Sequence, residues 1–201
     1  MPYLIKHYAF YMRKSRFNWV ASAAALILAC ALAAAAGHAH AQAGANGYAD
    51  EDRDWGVAPT HQLRREPYHA PTPREIPGAQ VVHTRELQAM LAGANPPLLI
   101  DVLSEVGHVT LTGALWLSGA GRGTNFVDPV QSVLEPLLQQ LSAGDKARVM
   151  VFFCASSQCW LSYNAALRAA AAGYTRVYWY RGGIEAWTEA GLPSARTASR
   201  R

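Results

Sequence analysis

Val149-Met-Val-Phe-Phe153 runs directly into Cys154-Ala-Ser-Ser-Gln-Cys159-Trp160, and an alanine-rich stretch over residues 161–168 follows. A continuous apolar run of this length predicts a buried strand, and the alanine-rich stretch predicts a helix. The two cysteines therefore lie on a loop that connects a strand to a helix. Because functional residues of α/β proteins gather at the carboxyl ends of strands, this loop is the predicted site of chemistry.

Strand and helix patterns alternate on both sides of this loop. Thr84 is expected to cap a helix that ends at Gly93. Apolar runs predict strands at residues 80–83, 97–103 and 176–180, and residues 111–117 predict a turn into a further strand. This alternation predicts an α/β fold with a mostly parallel central sheet and helices on both faces.

Two more helices are predicted from their ends. Asp128 is a suitable N-cap and Pro129 a suitable first helical residue. The helix that they open carries a periodic apolar stripe, which we assign to the core: Val130, Val133, Leu134, Leu137, Leu138 and Leu141. The helix after the cysteine loop is expected to end at Gly173, and a closing helix is expected to start at Ile184.

The N-terminal residues have the composition of a secretory signal peptide. Four basic residues and no acidic ones precede an apolar run over residues 19–36, which leads to the small-residue triplet Ala39-His-Ala41. We predict a signal peptide over residues 1–41 and a periplasmic mature protein. A retained membrane anchor is one alternative. A lipoprotein attached through Cys30 is another, although the residues before that cysteine match poorly.

Removal of the signal peptide would also remove the net charge of the chain. The whole sequence has 18 Lys and Arg against 14 Asp and Glu, and the basic residues of the signal account for the difference. A neutral mature protein has no electrostatic reason to bind nucleic acid or an anionic membrane surface. Loss of Cys30 would leave two cysteines in an oxidising compartment, where disulfides persist.

The rest of the chain is expected to form an arm, one domain and a tail. Residues 42–78 are polar and proline-rich, which predicts an extended arm, with plain disorder as the alternative. Residues 79–195 suffice for one compact α/β domain. Residues 196–201 are expected to be a disordered tail.

Several short strings together resemble the rhodanese-like superfamily. They are Leu98-Leu-Ile-Asp101-Val102, Thr112-Gly-Ala114, Val151-Phe-Phe-Cys154, Gly173-Tyr-Thr-Arg-Val-Tyr178, Gly182-Gly-Ile-Glu-Ala-Trp187 and Gly191-Leu-Pro193. The resemblance implies a rhodanese-like domain, in which a cysteine at the end of a strand carries a persulfide. Cys154 holds the matching position.

A narrower resemblance is to a secreted branch of that superfamily, named for a CXXCW motif and associated with pyrroloquinoline quinone (PQQ)-dependent catabolism. Tyr68-x-x-Pro-x-Pro73, Cys159-Trp160 and Val177-Tyr-Trp-Tyr180 are among the strings that carry it. The branch has two residues between its cysteines, whereas this chain has four. The resemblance implies an accessory protein that works beside a periplasmic PQQ-dependent dehydrogenase or a cytochrome of the same pathway.

The loop lacks a cation. Backbone amides and a helix N-terminus favour an anion there, but residues 154–162 contain no Arg or Lys. Leu103 stands where an arginine often follows Asp-Val in the sulfurtransferases that the chain resembles. A divalent donor such as thiosulfate would therefore lose charge-assisted hydrogen bonds that contribute about 1.5–3 kcal/mol each. A small sulfur compound stays a candidate substrate.

Cys159 allows chemistry between two thiols. If the loop curls, the Cα atoms of Cys154 and Cys159 come within the separation of about 4.4–6.8 Å that a disulfide needs. Cys159 would then be a resolving thiol, one half of an exchanging disulfide, or a static staple of the loop.

Eight further residues are candidate supports of the cysteine loop: Asp101, Ala155, Ser156, Ser157, Gln158, Trp160, Ser162 and Asn164. For Asp101 we favour structural hydrogen bonds over a role in orienting the loop. Trp160 is expected to fill the junction between the sheet and the helix. Ser162 and Asn164 are expected to act as caps. The histidines show no metal-ligand spacing, and one cysteine pair is a weak zinc signal, so we predict no metal and no cofactor.

Three functional hypotheses follow from these residues. The first is a periplasmic thiol-active accessory protein with Cys154 as sulfur carrier or nucleophile and Cys159 as resolving thiol. The second is a non-catalytic module that binds a partner and keeps a structural Cys154–Cys159 disulfide. The third is a thiol–disulfide oxidoreductase.

Overall fold

The computed structural model describes residues 47–197. The predicted signal peptide over residues 1–41 and the first residues of the predicted arm lie outside this range. Within it, the order of elements is β1 (Gln80–Val82), α1 (Thr84–Ala92), β2 (Leu98–Asp101), β3 (Val109–Leu111), β4 (Leu115–Trp116), α2 (Pro129–Leu141), β5 (Met150–Phe153), α3 (Trp160–Ala171), β6 (Val177–Tyr180), α4 (Gly183–Glu189) and β7 (Ser194–Arg196).

Five strands form a parallel sheet in the order β1-β6-β5-β2-β4. β5 lies at its centre, with Phe152 opposite Ile100 of β2 on one side and Trp179 of β6 on the other. All four residues of β5 are buried, as a strand covered on both faces requires. The sheet and its helices confirm the predicted α/β class.

Neighbouring side chains of the central strands enter two separate cores. Met150 and Phe152 face the core that α2 and α3 cover, whereas Val151 and Phe153 face the core that α1 and α4 cover. This alternation follows from the two-residue period of a strand. Cys154 follows the last residue of β5, so it lies at the carboxyl edge of the sheet, with its side chain in the same core as Phe152.

The N-terminus of α1 differs from the prediction. The N-cap is His83, whose backbone amide donates to Glu86 at 3.0 Å. Thr84 is instead the first helical residue, and its hydroxyl donates to Glu51 at 2.6 Å and contacts the Tyr180 hydroxyl at 2.6 Å. Thr84 therefore binds tertiary partners, which a local capping rule does not register.

The apolar stripe on α2 is only partly core, so its assignment was too broad. Leu134 and Leu138 are buried, but Val133 is 68% exposed. The N-terminus agrees with the prediction, because Asp128 accepts a hydrogen bond from the backbone amide of Gln131 and Pro129 opens the helix. α2 contacts α3, and only part of the apolar stripe is buried.

A second, two-stranded sheet was not predicted. β3 pairs with β7 in antiparallel fashion, with Thr110 opposite Ala195. The backbone amide of Thr197 donates to the carbonyl of His108 at 3.0 Å. Ordered chain therefore extends past the predicted domain end at residue 195, while residues 198–201 of the predicted tail lie outside the described range.

The proline-rich segment from residue 47 to residue 78, here called the arm, packs against the domain. It places Leu63 and Ile76 in the same core as α3. Two buried polar side chains of α3 bind its backbone: Tyr163 donates to the Thr60 carbonyl at 2.8 Å, and Asn164 donates to the Arg64 carbonyl at 2.8 Å. This part of the arm is thus held against α3 by both apolar packing and hydrogen bonds.

Candidate functional site

Cys154 and Cys159 form a disulfide across the loop between β5 and α3, with their Cα atoms 6.3 Å apart. Cys154 directly follows the central strand, and Cys159 is the N-cap of α3. The two residues are 1% and 6% exposed. The loop therefore curls as the sequence allowed, and the two sulfurs are joined in this structure.

Ser162 lies under the disulfide, in the first turn of α3. Its Oγ is 3.2 Å from the Cys154 Sγ and 3.3 Å from the Cys159 carbonyl oxygen. The indole of Trp179 donates to that same Oγ at 3.0 Å. Since the hydroxyl oxygen accepts from Trp179, its hydrogen is free to point at the carbonyl or at the sulfur.

The arm covers one side of the cysteine loop through main-chain pairing. The backbone amide of Ala70 donates to the Gln158 carbonyl at 2.9 Å, and the amide of Trp160 donates to the Tyr68 carbonyl at 2.9 Å. Thr72 donates to the Ser157 carbonyl through its hydroxyl at 2.6 Å. The second half of the loop is therefore bound to the arm by main-chain hydrogen bonds of the kind that join two β-strands.

α4 holds the first half of the loop. The amides of Ile184 and Glu185 donate to the carbonyls of Cys154 and Ala155, both at 2.9 Å. Gly183 permits this approach because it adopts a φ of +61°, and a Cβ atom there would stand 2.3 Å from the Cys154 carbonyl oxygen. The contact requires glycine for both its backbone angle and its lack of a side chain.

Neither of the two buried arginines supplies a cation to the loop. The guanidinium of Arg168 donates to Asp128 at 2.8 Å and to the Arg122 carbonyl at 2.7 Å. That of Arg181 donates to the carbonyls of arm residues, including Glu51 at 2.7 Å and Arg53 at 2.8 Å. Both groups are engaged in holding the fold, as the lack of a loop cation in the sequence implied.

Burial and hydrogen bonding shift the pKa of Asp128 in opposite directions. Burial alone would raise the pKa of this carboxyl. Hydrogen bonds from Arg168 and from the amides of Gln131, Thr124 and Asn125 outweigh it, so the pKa lies well below the ordinary value. For Arg181, burial is the main cause that lowers the pKa.

Asp101 lies at the end of β2 and is fully buried. It accepts hydrogen bonds from the amide of Leu103 at 2.9 Å and from the hydroxyl of Thr110 at 2.5 Å, and its Oδ2 is 2.6 Å from Nε2 of His108. The other ring nitrogen of His108 lies 2.6 Å from the Glu105 carbonyl. These bonds hold residues 103–110 beside the cysteine loop.

A cleft of about 520 Å³ opens between this segment, the loop and α4. Ala155 and Ser156 form its side toward the disulfide, and His108 lines it from the opposite segment. Both loop residues are half-buried, whereas Cys154 and Ser157 are buried. The cleft is thus the side from which the first half of the loop can be reached.

The predicted supports divide into two groups. Ala155, Ser156, Ser157 and Gln158 form the loop, and Ser162 touches the sulfur. The other three supports bind other segments. Asp101 contacts His108 in the segment after β2, and the indole of Trp160 donates to the Pro71 carbonyl at 3.0 Å. Asn164 donates to the arm and to the Gly121 carbonyl. Ser157 Oγ is buried without a hydrogen-bond partner among residues 47–197.

Sequence reasoning missed His108, Thr72 and Arg181. No local pattern marks Thr72 and Arg181, because their side chains bind residues 85 or more positions away. The proline-containing string from Tyr68 to Pro73 predicts part of an extended arm, and the structure pairs its backbone with the cysteine loop.

A comparison with protein families identifies the fold. The family described as "Rhodanese-like domain" matches residues 83–190, which is more than half of the chain. The chain belongs to the rhodanese-like domain family. The matched range of this rhodanese-like domain contains the cysteine loop and the cleft, whereas the arm precedes it.

Solved structures of similar fold include two that are named as sulfur transferases. A thiosulfate sulfurtransferase from Pseudomonas aeruginosa is 20% identical with a TM-score of 0.46, and the match covers 61% of this chain and 21% of that one. A polysulfide-sulfur transferase homodimer from Wolinella succinogenes is 23% identical with a TM-score of 0.42, covering 59% and 79%. The rhodanese-like domain thus spans about a fifth of the first relative's length. A search of curated proteins found no match.

None of the helices between residues 47 and 197 combines the length and the apolar character that a membrane span requires. The same residues contain no group of three or more His, Cys, Asp or Glu side chains that could hold a metal ion.

Proposed function

We propose that this rhodanese-like protein is a thiol-active sulfur carrier that cycles between the Cys154–Cys159 disulfide and a dithiol. The observation that carries the proposal is the disulfide itself, which joins the cysteine at the end of the central strand to the N-cap of the following helix. Both thiols of the reduced form would therefore lie within reach of each other and of the N-terminus of α3.

The cycle needs an external reductant of the dithiol class. That dithiol reduces the protein disulfide and is itself oxidised to a disulfide. The Cys154 thiolate then attacks the outer sulfur of a persulfide donor, forms Cys154–S–SH and releases the donor thiolate. Attack by the Cys159 thiolate on the inner sulfur re-forms the disulfide and expels hydrosulfide, unless an acceptor thiolate takes the outer sulfur first.

The environment of the loop favours a donor without a large negative charge. The two buried arginines nearest in sequence are bound elsewhere, so a divalent anion would find no guanidinium to donate to it. Ser162 Oγ, 3.2 Å from the Cys154 sulfur, is placed to donate a hydrogen bond to a thiolate.

Intact-mass measurement after incubation with glutathione persulfide tests the carrier role. We expect Cys159→Ser to gain one sulfur atom on Cys154, Cys154→Ser to gain none at that loop, and the reduced wild type to return to the disulfide with release of hydrosulfide. A Cys159→Ser protein that stays unmodified at every donor concentration would overturn the proposal.

A second candidate function is a non-catalytic partner-binding module. The burial of both cysteines and the pairing of the loop with the arm favour it. It requires a reduction potential below about −300 mV, as structural disulfides have, and a variant with both cysteines replaced by serine that still binds its partner. A potential well above that value supports the cycle or plain thiol–disulfide exchange.

For the biological setting we propose the periplasm and PQQ-dependent catabolism. The sequence features that support this are the signal-like N-terminus and the strings shared with the CXXCW branch. The proposal requires a mature N-terminus after Ala41 and binding of the purified protein to a PQQ-dependent alcohol dehydrogenase or its cytochrome. A mature chain that keeps residues 1–41 in the cytoplasm would contradict it.

A further inference from the structure

We infer that the cleft beside the disulfide receives a basic, partly apolar polypeptide segment whose cysteine exchanges with the Cys154–Cys159 pair. The inference rests on the proposed function, because it names the kind of partner that would reduce the disulfide or accept the outer sulfur of the Cys154 persulfide. It is carried by the position of the cleft, its apolar wall and its charge.

The cleft borders the first half of the cysteine loop, next to Cys154. The arm pairs with the carbonyls of Ser157 and Gln158, so the second half of the loop is covered. Ala155 and Ser156, the two residues after Cys154, line the cleft instead. Since α4 holds Cys154 and Ala155 by two hydrogen bonds, a partner bound in the cleft contacts the segment that carries the sulfur.

The walls of the cleft are largely apolar. Leu103, Val109 and Ile184 supply aliphatic surface next to Ala155. None of these three is fully buried, so they offer apolar area that a partner can cover. An aliphatic side chain of a polypeptide fits this surface better than a strongly hydrated inorganic anion does.

The charge of the cleft is negative. Glu185 and Glu189 stand one turn apart on the exposed side of α4 and line it, and neither has an ion-pair partner among residues 47–197. His108 also lines the cleft, with Asp101 buried behind it. Arg196 donates to the Gly107 carbonyl at 3.0 Å but is not among the lining residues, so no lysine or arginine of the lining opposes the two glutamates. A lysine or arginine on the partner complements them.

The experiment measures how fast three acetylated, amidated tripeptides reduce the disulfide of the full chain: Lys-Leu-Cys, Glu-Leu-Cys and Lys-Ser-Cys. We expect the lysine peptide to react faster than the glutamate peptide by about threefold or more, as exposed ion pairs permit. We also expect the leucine peptide to react faster than the serine peptide. High salt should shrink the charge effect and leave the apolar effect.

Variants of equal charge change locate the effect. Glu185→Gln and Glu189→Gln should each lower the ratio of the lysine rate to the glutamate rate, whereas Glu135→Gln, on the exposed side of α2, should leave it unchanged. Using the ratio cancels the intrinsic reactivity of each peptide thiol. If Glu135→Gln lowers the ratio equally, the effect belongs to net charge and the inference is wrong.

The possible failures are distinguishable. Reduction at one rate by both charged peptides would overturn the basic partner and leave the sulfur-carrier cycle standing. A disulfide that resists every peptide thiol would overturn the cycle, and the inference with it.

Discussion

At the scale of single residues, Asp128 shows how one carboxylate serves several parts of the chain. It caps α2 through the Gln131 amide, receives the amide of Thr124 at 2.8 Å and pairs with the fully buried guanidinium of Arg168. Buried charges are tolerated only when they are paired and hydrogen-bonded. The segment before α2 is thereby tied to α3.

Replacing Asp128→Asn should destabilise the fold by about 3 kcal/mol, because it leaves the Arg168 charge buried without its partner. The check is the free energy of unfolding from urea titration. Asp50→Asn is the matched control, since its pair with Arg53 is exposed and contributes about 0–1 kcal/mol. Equal losses in the two variants would contradict the assignment.

The same residue implies a pH dependence. Its folded-state pKa lies below the ordinary value of 3.8, so its stabilisation is complete above that pH and is lost as the pH falls toward the folded-state pKa. As the pH falls below about 3.8, the wild type should therefore lose stability more steeply than Asp128→Asn. Parallel curves would show that other carboxyls dominate.

At the scale of elements, the arm covers the second half of the cysteine loop. Arg181, at the end of β6, anchors it by donating to the carbonyls of Asp50, Glu51, Arg53 and Thr72. Thr72 accepts from Nε of the same arginine and donates to the Ser157 carbonyl. The anchor of the arm is thus one residue away from the disulfide loop.

Replacing Arg181→Lys should loosen the arm, because one ammonium with three donors cannot reach carbonyls that a planar guanidinium serves together. We expect faster hydrogen exchange at the amides of Ala70 and Thr72, which pair with the loop, and faster reduction of the disulfide by a small thiol. Arg65→Lys, on an exposed arm residue, should change neither. Unchanged exchange at both amides in Arg181→Lys would contradict the anchoring role.

At the scale of the whole molecule, the arm belongs to the core as much as to the surface. Leu63 and Ile76 are buried in the cluster that contains Trp160 and Trp179. The family match begins at residue 83. Leu63 and Ile76 precede it, so side chains from outside the matched range complete the core. This arrangement couples the stability of the domain to the cover of its loop.

A chain that begins at residue 79 should therefore be less stable than one that begins at residue 47. Loss of two buried aliphatic side chains contributes about 3–6 kcal/mol of the difference, and Trp160 becomes exposed. Urea midpoints and quenching of tryptophan fluorescence by iodide are the measurements. A shortened chain with the same midpoint would show that the arm only lies on the surface.

The cysteine loop, the sheet and the class of the fold were predictable because their signals are local. Residues 149–153 are continuously apolar, and only a central strand covered on both faces uses such a run. The strings around Cys154 and Gly182 likewise lie within a few residues of what they specify. The spacing of the two cysteines allows a disulfide across the loop, but the sequence does not determine whether that disulfide forms.

The errors came from residues that are set by distant partners. Thr84 has the chemistry of a cap but binds Glu51, and Val133 has the period of the core but lies beyond the contact with α3. β3 and β7 are too short to be recognised in isolation, since each pairs with a strand more than 80 residues away in the sequence.

The sequence by itself determined the parallel α/β architecture and the position of Cys154 at the end of its central strand, because hydrophobic periodicity and turn residues act over short distances. Only the tertiary structure decided that the thiols are joined, that the arm covers one half of their loop, and that His108 and two glutamates border the other half. Those features depend on hydrogen bonds and charges between segments as far as 131 residues apart, as in the bond from Arg181 to the Asp50 carbonyl. Pairing over such separations is fixed by how the whole chain packs.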